Sequence, residues 1–206
     1  MEIELKFLIE EEFTKDRILQ DDHLRKMTDE AEIEVIPMRA LYYDTENQDL
    51  RNRGFAFRVR YENGLPVATM KWGGSSEDGL HRRGELNVTV DEEFAKNPDM
   101  HIFKGSEIYA DLEDMVEDSK LVPVIEMKFV RKQIHVDTGR SISVVSCDEG
   151  EIITIKGNAP ISELEVELYS GDQDDMIALG TELATKYNLK AEDKSKYQRG
   201  LELLGL

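Results

Sequence analysis

The stretch Glu163-Leu164-Glu165-Val166-Glu167-Leu168 alternates a carboxylate with an aliphatic side chain at every step. Successive side chains of a β-strand point to opposite faces, so three glutamates share one face and three aliphatics the other. Like charges two residues apart repel, and three in a row need a compensating cation. The same alternation opens the chain, where Glu2, Glu4 and Lys6 share a face opposite Ile3, Leu5 and Phe7. Arg58 and Arg60 stand opposite Phe57 and Val59, and Thr69 and Lys71 opposite Met70 and Trp72. Arg83, Glu85 and Asn87 oppose Leu86 and Val88, while Arg131, Gln133 and His135 oppose Val130, Ile134 and Val136.

The wet side of a half-buried sheet also carries charge, but it intersperses both signs. Here the signs are sorted by strand. Acids dominate the first strand and the segment near residue 165, and bases dominate the strands between. A bound cation accounts for the acids and a bound anion for the bases. A sheet rolled into a barrel with its charged face inward brings both sets around one ligand, and eight strands leave room for one small molecule. Unpaired charges inside are costly, so this polarity is worthwhile only around a highly charged ligand.

Strand-like stretches are expected at 1–9, 33–43, 55–61, 67–72 and about 80–90, then at 123–136, 141–147, 151–156 and 161–169. Asp44-Thr45-Glu46-Asn47 reads as turn-like, Glu62-Asn63-Gly64-Leu65-Pro66 as a hairpin turn, and Gly73-Gly74-Ser75-Ser76 as a break between strands. A polar stretch over 10–27 reads as helical. Residues 91–120, with ten acidic side chains and three lysines, read as helical, solvated and peripheral. Met176, Leu179, Gly180, Leu183, Ala184 and Tyr187 recur at helical spacing between Asp172 and Asn188, a helix suited to covering the apolar outer face of the barrel. The tail, 193–206, ends in a short amphipathic stretch. With no repeat or linker, residues 1–206 are expected to form one α+β domain, an eight-stranded antiparallel β-barrel with peripheral helices. Few βαβ alternations argue against a doubly wound sheet.

Composition narrows the partners. The chain of 206 residues holds 44 acidic against 26 basic side chains, a formal net charge of −18. That surface repels nucleic-acid backbones and anionic membranes, and neither is expected to bind. A local cluster of bases is correspondingly informative. Hydrophobic residues make up 40%, enough for a packed core. Cys147 is the only cysteine, which excludes an internal disulfide and a cysteine-based zinc site. His23, His81, His101 and His135 lack metal-ligand spacing and are expected to be structural or superficial. No apolar run reaches the roughly 18 residues of a membrane span. Charged strand-like sequence from Glu2 leaves no room for a leader, so a cytoplasmic location is expected.

Carboxylates are hard ligands suited to Mg²⁺ or Mn²⁺, and arginine and lysine suit phosphate oxygens. Metal plus several bases describes a polyphosphate site. No P-loop, Rossmann glycine pattern or kinase signature is present, so phosphate would be held in another way.

The chain resembles CYTH domains, the triphosphate tunnel metalloenzymes. Glu2-Ile3-Glu4-Leu5-Lys6 is similar to their N-terminal E-x-E-x-K signature, and the supporting pieces follow in order: Tyr42-Tyr43-Asp44-Thr45, Phe57-Arg58-Val59-Arg60, Met70-Lys71, Arg83-Gly84-Glu85, Arg131, Cys147-Asp148-Glu149-Gly150, Glu163-Leu164-Glu165-Val166-Glu167 and Ser195-Lys196. The resemblance runs from Met1 to about Gly200 and is strongest to the CYTH portion of bacterial inorganic triphosphatases, notably at Gly79-Leu80-His81 and from Glu163 to Gly171. The helical CHAD segment that some bacterial members carry after this region is not among these 206 residues.

The resemblance implies a tunnel that binds triphosphate with Mg²⁺ or Mn²⁺. By position, Glu2, Glu4, Glu165 and Glu167 are implied as metal ligands, directly or through water. Lys6, Arg58, Arg60, Lys71, Arg83, Arg131 and Lys196 are implied as phosphate ligands, with Glu2, Glu4 and Lys6 the catalytic set. Glu85, Asp148 and Glu163 are acidic positions of less defined role, and for Asp148 the turn chemistry of a tight bend is an equal account. Arg82 and Lys194 sit beside motif positions and are one-residue alternatives to the bases there. Tyr42 and Tyr43 are expected as core or rim aromatics.

The implied reaction is metal-dependent hydrolysis of inorganic triphosphate. A metal held by Glu4 with Glu165 and Glu167 would bridge phosphate oxygens, and Glu2 or a second metal would orient and deprotonate the attacking water. The seven bases suit a ligand of about four to five negative charges. A small-molecule triphosphate is the one partner expected; oligomeric state is left open. Thiamine-triphosphate hydrolysis and class IV adenylate cyclisation need the same grip and stay open. So does a polyphosphate- or nucleotide-binding module without turnover, although anion binding alone needs no paired acids.

Overall fold

Four of the connections between strands are too short for anything but antiparallel pairing. In the computed structural model, which describes residues 1–11, 14–28, 33–116 and 119–206, the strands are β1 (Glu2–Leu8), β2 (Glu34–Thr45), β3 (Phe55–Glu62), β4 (Leu65–Glu77), β5 (Leu80–Thr89), β6 (Leu121–Asp137), β7 (Ser141–Thr154), β8 (Gly157–Gly171) and the two-residue β9 (Lys190–Ala191). They pair in the order β5-β4-β3-β2-β6-β7-β8-β1, and β1 returns to pair with β5, Glu2 opposite Arg83 and Glu4 opposite His81. The sheet is a closed eight-stranded antiparallel barrel with β9 attached to β1. Closure removes the open edges of these eight strands and gives each one an inward and an outward face.

The β4–β5 hairpin shows how local chemistry serves that closure. Asp78 and Gly79 both have positive φ, 52° and 79°, the geometry of a two-residue hairpin turn. A Cβ on Gly79 would stand 2.6 Å from the carbonyl oxygen of Lys6, so only glycine lets the turn reach β1. Its carbonyl accepts from the Lys6 amide at 2.8 Å, pinning the strand that carries Glu2, Glu4 and Lys6.

The helices are α1 (Thr14–Leu19), α2 (Asp22–Lys26), α3 (Asp49–Asn52), α4 (Glu92–Lys96), a 3-10 turn at Met100–Phe103, α5 (Tyr109–Val116), α6 (Gln173–Tyr187) and α7 (Lys196–Leu204). As expected, Asp172 caps the start of α6 by accepting from Asp174 and Asp175, and Asn188 ends it in the left-handed conformation. Met176, Leu179 and Leu183 of α6 bury the outward side chains Leu5, Phe7, Val145, Cys147, Leu164 and Val166. On the opposite wall, α4, the 3-10 turn and α5 cover Tyr43, Phe57, Val59, Ala68 and Met70. The packed apolar layers therefore lie between barrel and helices, outside the ring of strands.

α7 is different, because it enters the lumen. Its Tyr197, Leu201 and Leu204 pack on Met38, Ala40, Ile125, Met127, Ile152 and Ile161. By strand alternation Ile125 and Met127 share a face with Arg131, Ile152 with Asp148, and Ile161 with Glu163. One end of the interior is thus apolar and filled by α7, and the other is charged.

Three expectations need correction. Strands expected at 141–147 and 151–156 are one strand, β7, with Asp148 in regular pairing opposite Arg131, so turn chemistry does not account for it. Gly73-Gly74-Ser75-Ser76 lies within β4 as a bulge rather than a break, because the ladder resumes at Ser75. The segment expected to be solvated at 91–120 buries Ala95, Met100, Phe103, Ile108 and Leu112, since the outer wall of β3 and β4 needs cover; residues 117 and 118 lie outside the described set. The stretch 10–27 is helical as expected, in two short helices, α1 and α2, that bury Ile18, Leu19 and Leu24; residues 12 and 13 lie outside the described set.

Leu164, fully buried under α6, is a fair test of that outer layer. Leu164→Ala is expected to lower unfolding stability by about 2–5 kcal/mol in urea titration, whereas Ile155→Ala, at a side chain 95% exposed, should stay within about 0.5 kcal/mol of the parent.

Candidate active site

Alternation turns Glu2, Glu4 and Lys6 of β1 inward, with Arg58 and Arg60 of β3, Lys71 of β4, Arg83 and Glu85 of β5, Arg131 of β6, and Glu165 and Glu167 of β8. All of these line one cavity of about 200 Å³, joined by Lys196, the first residue of α7. Seven basic side chains and five carboxylates thus converge from β1, β3, β4, β5, β6, β8 and α7. Asp148 and Glu163 stand behind the surface of the cavity, both fully buried.

At the floor the charges are tightly paired. Arg131 grips Asp148 through two hydrogen bonds, at 2.8 and 2.7 Å, and reaches Glu165 at 2.5 Å. Lys196 Nζ lies 2.8 Å from Asp148, 2.8 Å from Glu163 and 2.7 Å from Glu165. Lys6 bridges Glu4 at 3.2 Å and Glu165 at 3.3 Å. Arg199, three residues after Lys196 on the same helix face, holds Glu163 from behind. Burial opposes the charge on Glu165, but Lys196, Lys6 and Arg131 outweigh it and hold its carboxyl well below the ordinary carboxylate range.

A second group sits across the cavity. Ligand oxygens of Glu2, Glu4 and Glu167 lie within 4.8 Å of one another. Lys71 reaches Glu2 at 2.9 Å and Glu85 at 2.6 Å; Arg83 reaches Glu2 at 2.5 Å and Glu4 at 2.9 Å. Burial and the neighbouring charges of Glu2 and Glu4 push the Glu167 carboxyl up to about 7. Glu2 goes the other way: burial opposes its charge, but Lys71 and Arg83 hold it far below the carboxylate range.

The third wall is cationic and only partly paired. Arg58, 9% exposed, has no carboxylate in ion-pair range among the described residues, and the Nε atoms of Arg58 and Arg60 are buried without a hydrogen-bond partner. Arg60 pairs with Glu62, yet burial and the charge of Arg58 lower its pKa to about 10. The Tyr42 hydroxyl lies beside Arg58; burial would raise its pKa, but Arg58, Lys71 and Arg83 together lower it. Desolvated guanidinium groups that repel one another make a site for an anion.

Comparison with known proteins agrees with this architecture. Residues 1–201 match the CYTH domain model. The chain belongs to the CYTH family. It is 30% identical over 164 residues to an inorganic triphosphatase of Haemophilus influenzae, across 80% of this chain and 45% of that protein. The chain therefore spans about half the length of this curated relative. A Hippeastrum protein described as a candidate adenylyl cyclase with a dominant triphosphatase activity superimposes with a TM-score of 0.72 at 19% identity, over 98% of this chain and 96% of that one. A candidate adenylate cyclase from Bacillus halodurans gives 0.62 at 19% identity, over 97% and 96%. At these identities the two structures establish a shared fold. No described helix is long and apolar enough to cross a membrane.

CYTH triphosphatases are generally metal-dependent, and the donor set here fits a hard divalent cation: three clustered carboxylates, one of them unable to ionise fully beside the others. Glu165, expected among the metal ligands, stands apart because three cations already surround it. The one-residue alternatives are resolved: Arg82 turns out toward Gln173, and Lys194 pairs with Glu202 at the surface, leaving Arg83 and Lys196 in the cavity. Tyr42, expected as a core or rim aromatic, borders the charged cavity, and His81, buried with its ring on the Glu192 carbonyl, anchors the segment leading to Lys196. Arg199 and Tyr197 went unnoticed in the sequence. The capping box Ser195-x-x-Gln198 marks the start of α7, and from it helical spacing places Arg199 beside Lys196.

A cation held by Glu2, Glu4 and Glu167 would have to displace the proton that Glu167 holds below about pH 7. Divalent-metal affinity is expected to rise with pH and level off above about 7. Calorimetry at pH 6 in buffers of different ionisation enthalpy should report close to one proton released per Mn²⁺ bound, falling toward zero at pH 8.5.

Proposed function

We propose that this chain hydrolyses inorganic triphosphate to pyrophosphate and phosphate with Mg²⁺ or Mn²⁺. The observation that carries the reading is the meeting, in one cavity of about 200 Å³, of a three-carboxylate cluster with Arg58, which has no ion-pair partner among the described residues, and Arg60, whose Nε is buried without a hydrogen-bond partner. A lone anion site needs no carboxylate cluster, and a lone cation site needs no arginines. The volume lies below the roughly 300 Å³ at which pockets for drug-sized ligands begin, which suits a small inorganic chain. The likeness to the Haemophilus influenzae inorganic triphosphatase supports the same substrate.

Glu2, Glu4 and Glu167 would hold the cation, which when bound supplies Lewis-acid neutralisation of phosphate charge. Arg58 and Arg60 of β3 and Lys71 and Arg83 of β4 and β5 bind non-bridging oxygens from the walls, and Lys6, Arg131 and Lys196 from the floor. Water adds to a terminal phosphorus as the bridging P–O bond breaks, and the same bases stabilise the charge gathering on the pyrophosphate leaving group. Glu2 is a poor proton acceptor, because Lys71 and Arg83 hold it ionised; its part is to hold the cation. Asp148, Glu163 and Arg199 position Lys196 and Arg131 from behind, and Glu85 positions Lys71.

Glu4→Gln is expected to lower kcat on inorganic triphosphate at least about a hundredfold with the fold kept, as judged by circular dichroism; activity near the parent's at every metal concentration would refute the cation site. Arg58→Ala should raise KM about ten- to a hundredfold, the scale of a hydrogen bond to a charged group, and unchanged KM and kcat would count against the inward arginines. A panel of inorganic triphosphate, ATP and thiamine triphosphate, with cyclic AMP also measured, tests the substrate. Phosphate release confined to inorganic triphosphate is expected; cyclic AMP formation would make the chain a cyclase.

A further inference from the structure

A second cavity, of about 470 Å³, abuts the first and shares Ala56, Lys71, Arg83, Ser195 and Tyr197 with it. Its lining holds Arg51, Arg53, Lys71, His81 and Arg83 and no aspartate or glutamate. In a chain with 44 acidic and 26 basic residues, composition does not produce such a pocket. Gly73-Gly74-Ser75-Ser76 forms one wall. Trp72 pairs with Gly84 and Ser75 with Arg82, so Gly73 and Gly74 both face Arg83 in a bulge and stand outside the regular ladder. Gly73 has φ 60°, and a Cβ there would meet nothing within 4 Å, so main chain rather than side chain borders the opening. On the facing wall Arg51 hydrogen-bonds Gln48 at 2.7 Å and has no carboxylate in ion-pair range among the described residues. Arg53 pairs with Asp114 at 2.9 Å, an exposed contact that holds the guanidinium only weakly.

We propose that this vestibule is a subsite for the phosphates beyond the third of a linear polyphosphate, so that inorganic tetraphosphate binds with its surplus unit between Arg51 and the Gly73-Gly74 bulge. The proposal rests on the triphosphate reading of the inner cavity, and Lys71 and Arg83, which border both spaces, carry the chain from one to the other. A nucleoside is the competing occupant. The aromatic surfaces speak against it. Trp72 lies 6.5 Å from Phe55 between centroids, and a Cβ at Gly84 would stand 2.3 Å from its ring, so the Gly84 backbone closes one side of Trp72. Tyr197 gives a face to Tyr42, at 4.8 Å. No carboxylate is present to accept from the amino group of a base.

The test compares the parent with Arg51→Glu and, on the opposite wall, Ser75→Asp, each checked for folding by circular dichroism and melting. Rates are measured on inorganic triphosphate, inorganic tetraphosphate and ATP, and binding of the two inorganic chains is measured by calorimetry in EDTA. Tetraphosphate is expected to bind the parent more tightly than triphosphate. Each substitution should weaken tetraphosphate about tenfold in Kd and in kcat/KM, the scale of one charge-assisted hydrogen bond, while leaving triphosphate within about twofold. Equal losses on both chains would mean general attraction of anions and overturn the subsite. A loss confined to ATP would give the space to a nucleoside, and unchanged tetraphosphate binding would also overturn the proposal. If triphosphate is not turned over at all, the inner-cavity reading fails, and metal-free binding still decides the vestibule.

Discussion

Charges inside this barrel are stable only in company, and the strand register decides the company. Glu4 and Lys6 are each 2% exposed, and a lone ion at such depth costs several kcal/mol. Pairing of β1 with β8 sets Lys6 opposite Glu165, and pairing with β5 sets Glu2 opposite Arg83. A slip of one residue would send these side chains into the apolar layer under α6 and bring Leu5 and Phe7 into the lumen. Removing a single partner weakens the compensation of a buried charge, and the shared contacts of the network limit the loss, since Lys6 still has Glu165 and Arg83 still has Glu2 when Glu4 is neutralised.

Pairing is complete at the floor and incomplete above it, and that difference creates the site. Asp148, Glu163 and Glu165 are each ion-paired, by Arg131, Lys196, Lys6 and Arg199 between them. Toward the cavity, Glu2, Glu4 and Glu167 crowd one another, and Arg58 and Arg60 lack full partners. The protein holds this strain in place through the outer helices and α7, whose apolar face fills the remaining lumen. In the proposed reaction, a cation and a polyanion entering together would relieve both kinds of crowding.

Much of this was legible because a barrel strand writes its two faces into alternate residues. The triplets at Glu2-Glu4-Lys6 and Glu163-Glu165-Glu167 placed the inward faces correctly, and the 3.6-residue spacing of Met176, Leu179 and Leu183 found the covering helix. Alternation says nothing about which inward charges meet. Glu165 and Glu167 share a face, yet one is surrounded by cations and the other by carboxylates, because their cross-strand neighbours are Lys6 and Glu4. Asp148 looked like part of a turn because Glu149-Gly150 follows it, although Gly150 is there so that the strand can pack closely on Phe129. Arg199 escaped notice for a similar reason. Its partner Glu163 is 36 residues away, and no local pattern joins a helix to a strand across a lumen.

Diffraction from crystals soaked in Mn²⁺ and inorganic triphosphate, collected at the manganese absorption edge, tests the shared cavity most directly. Anomalous density is predicted among the Glu2, Glu4 and Glu167 carboxylates, with phosphate density against Arg58, Arg60 and Arg131. Manganese and phosphate bound only on the outer surface, with the lumen holding water, would contradict the account.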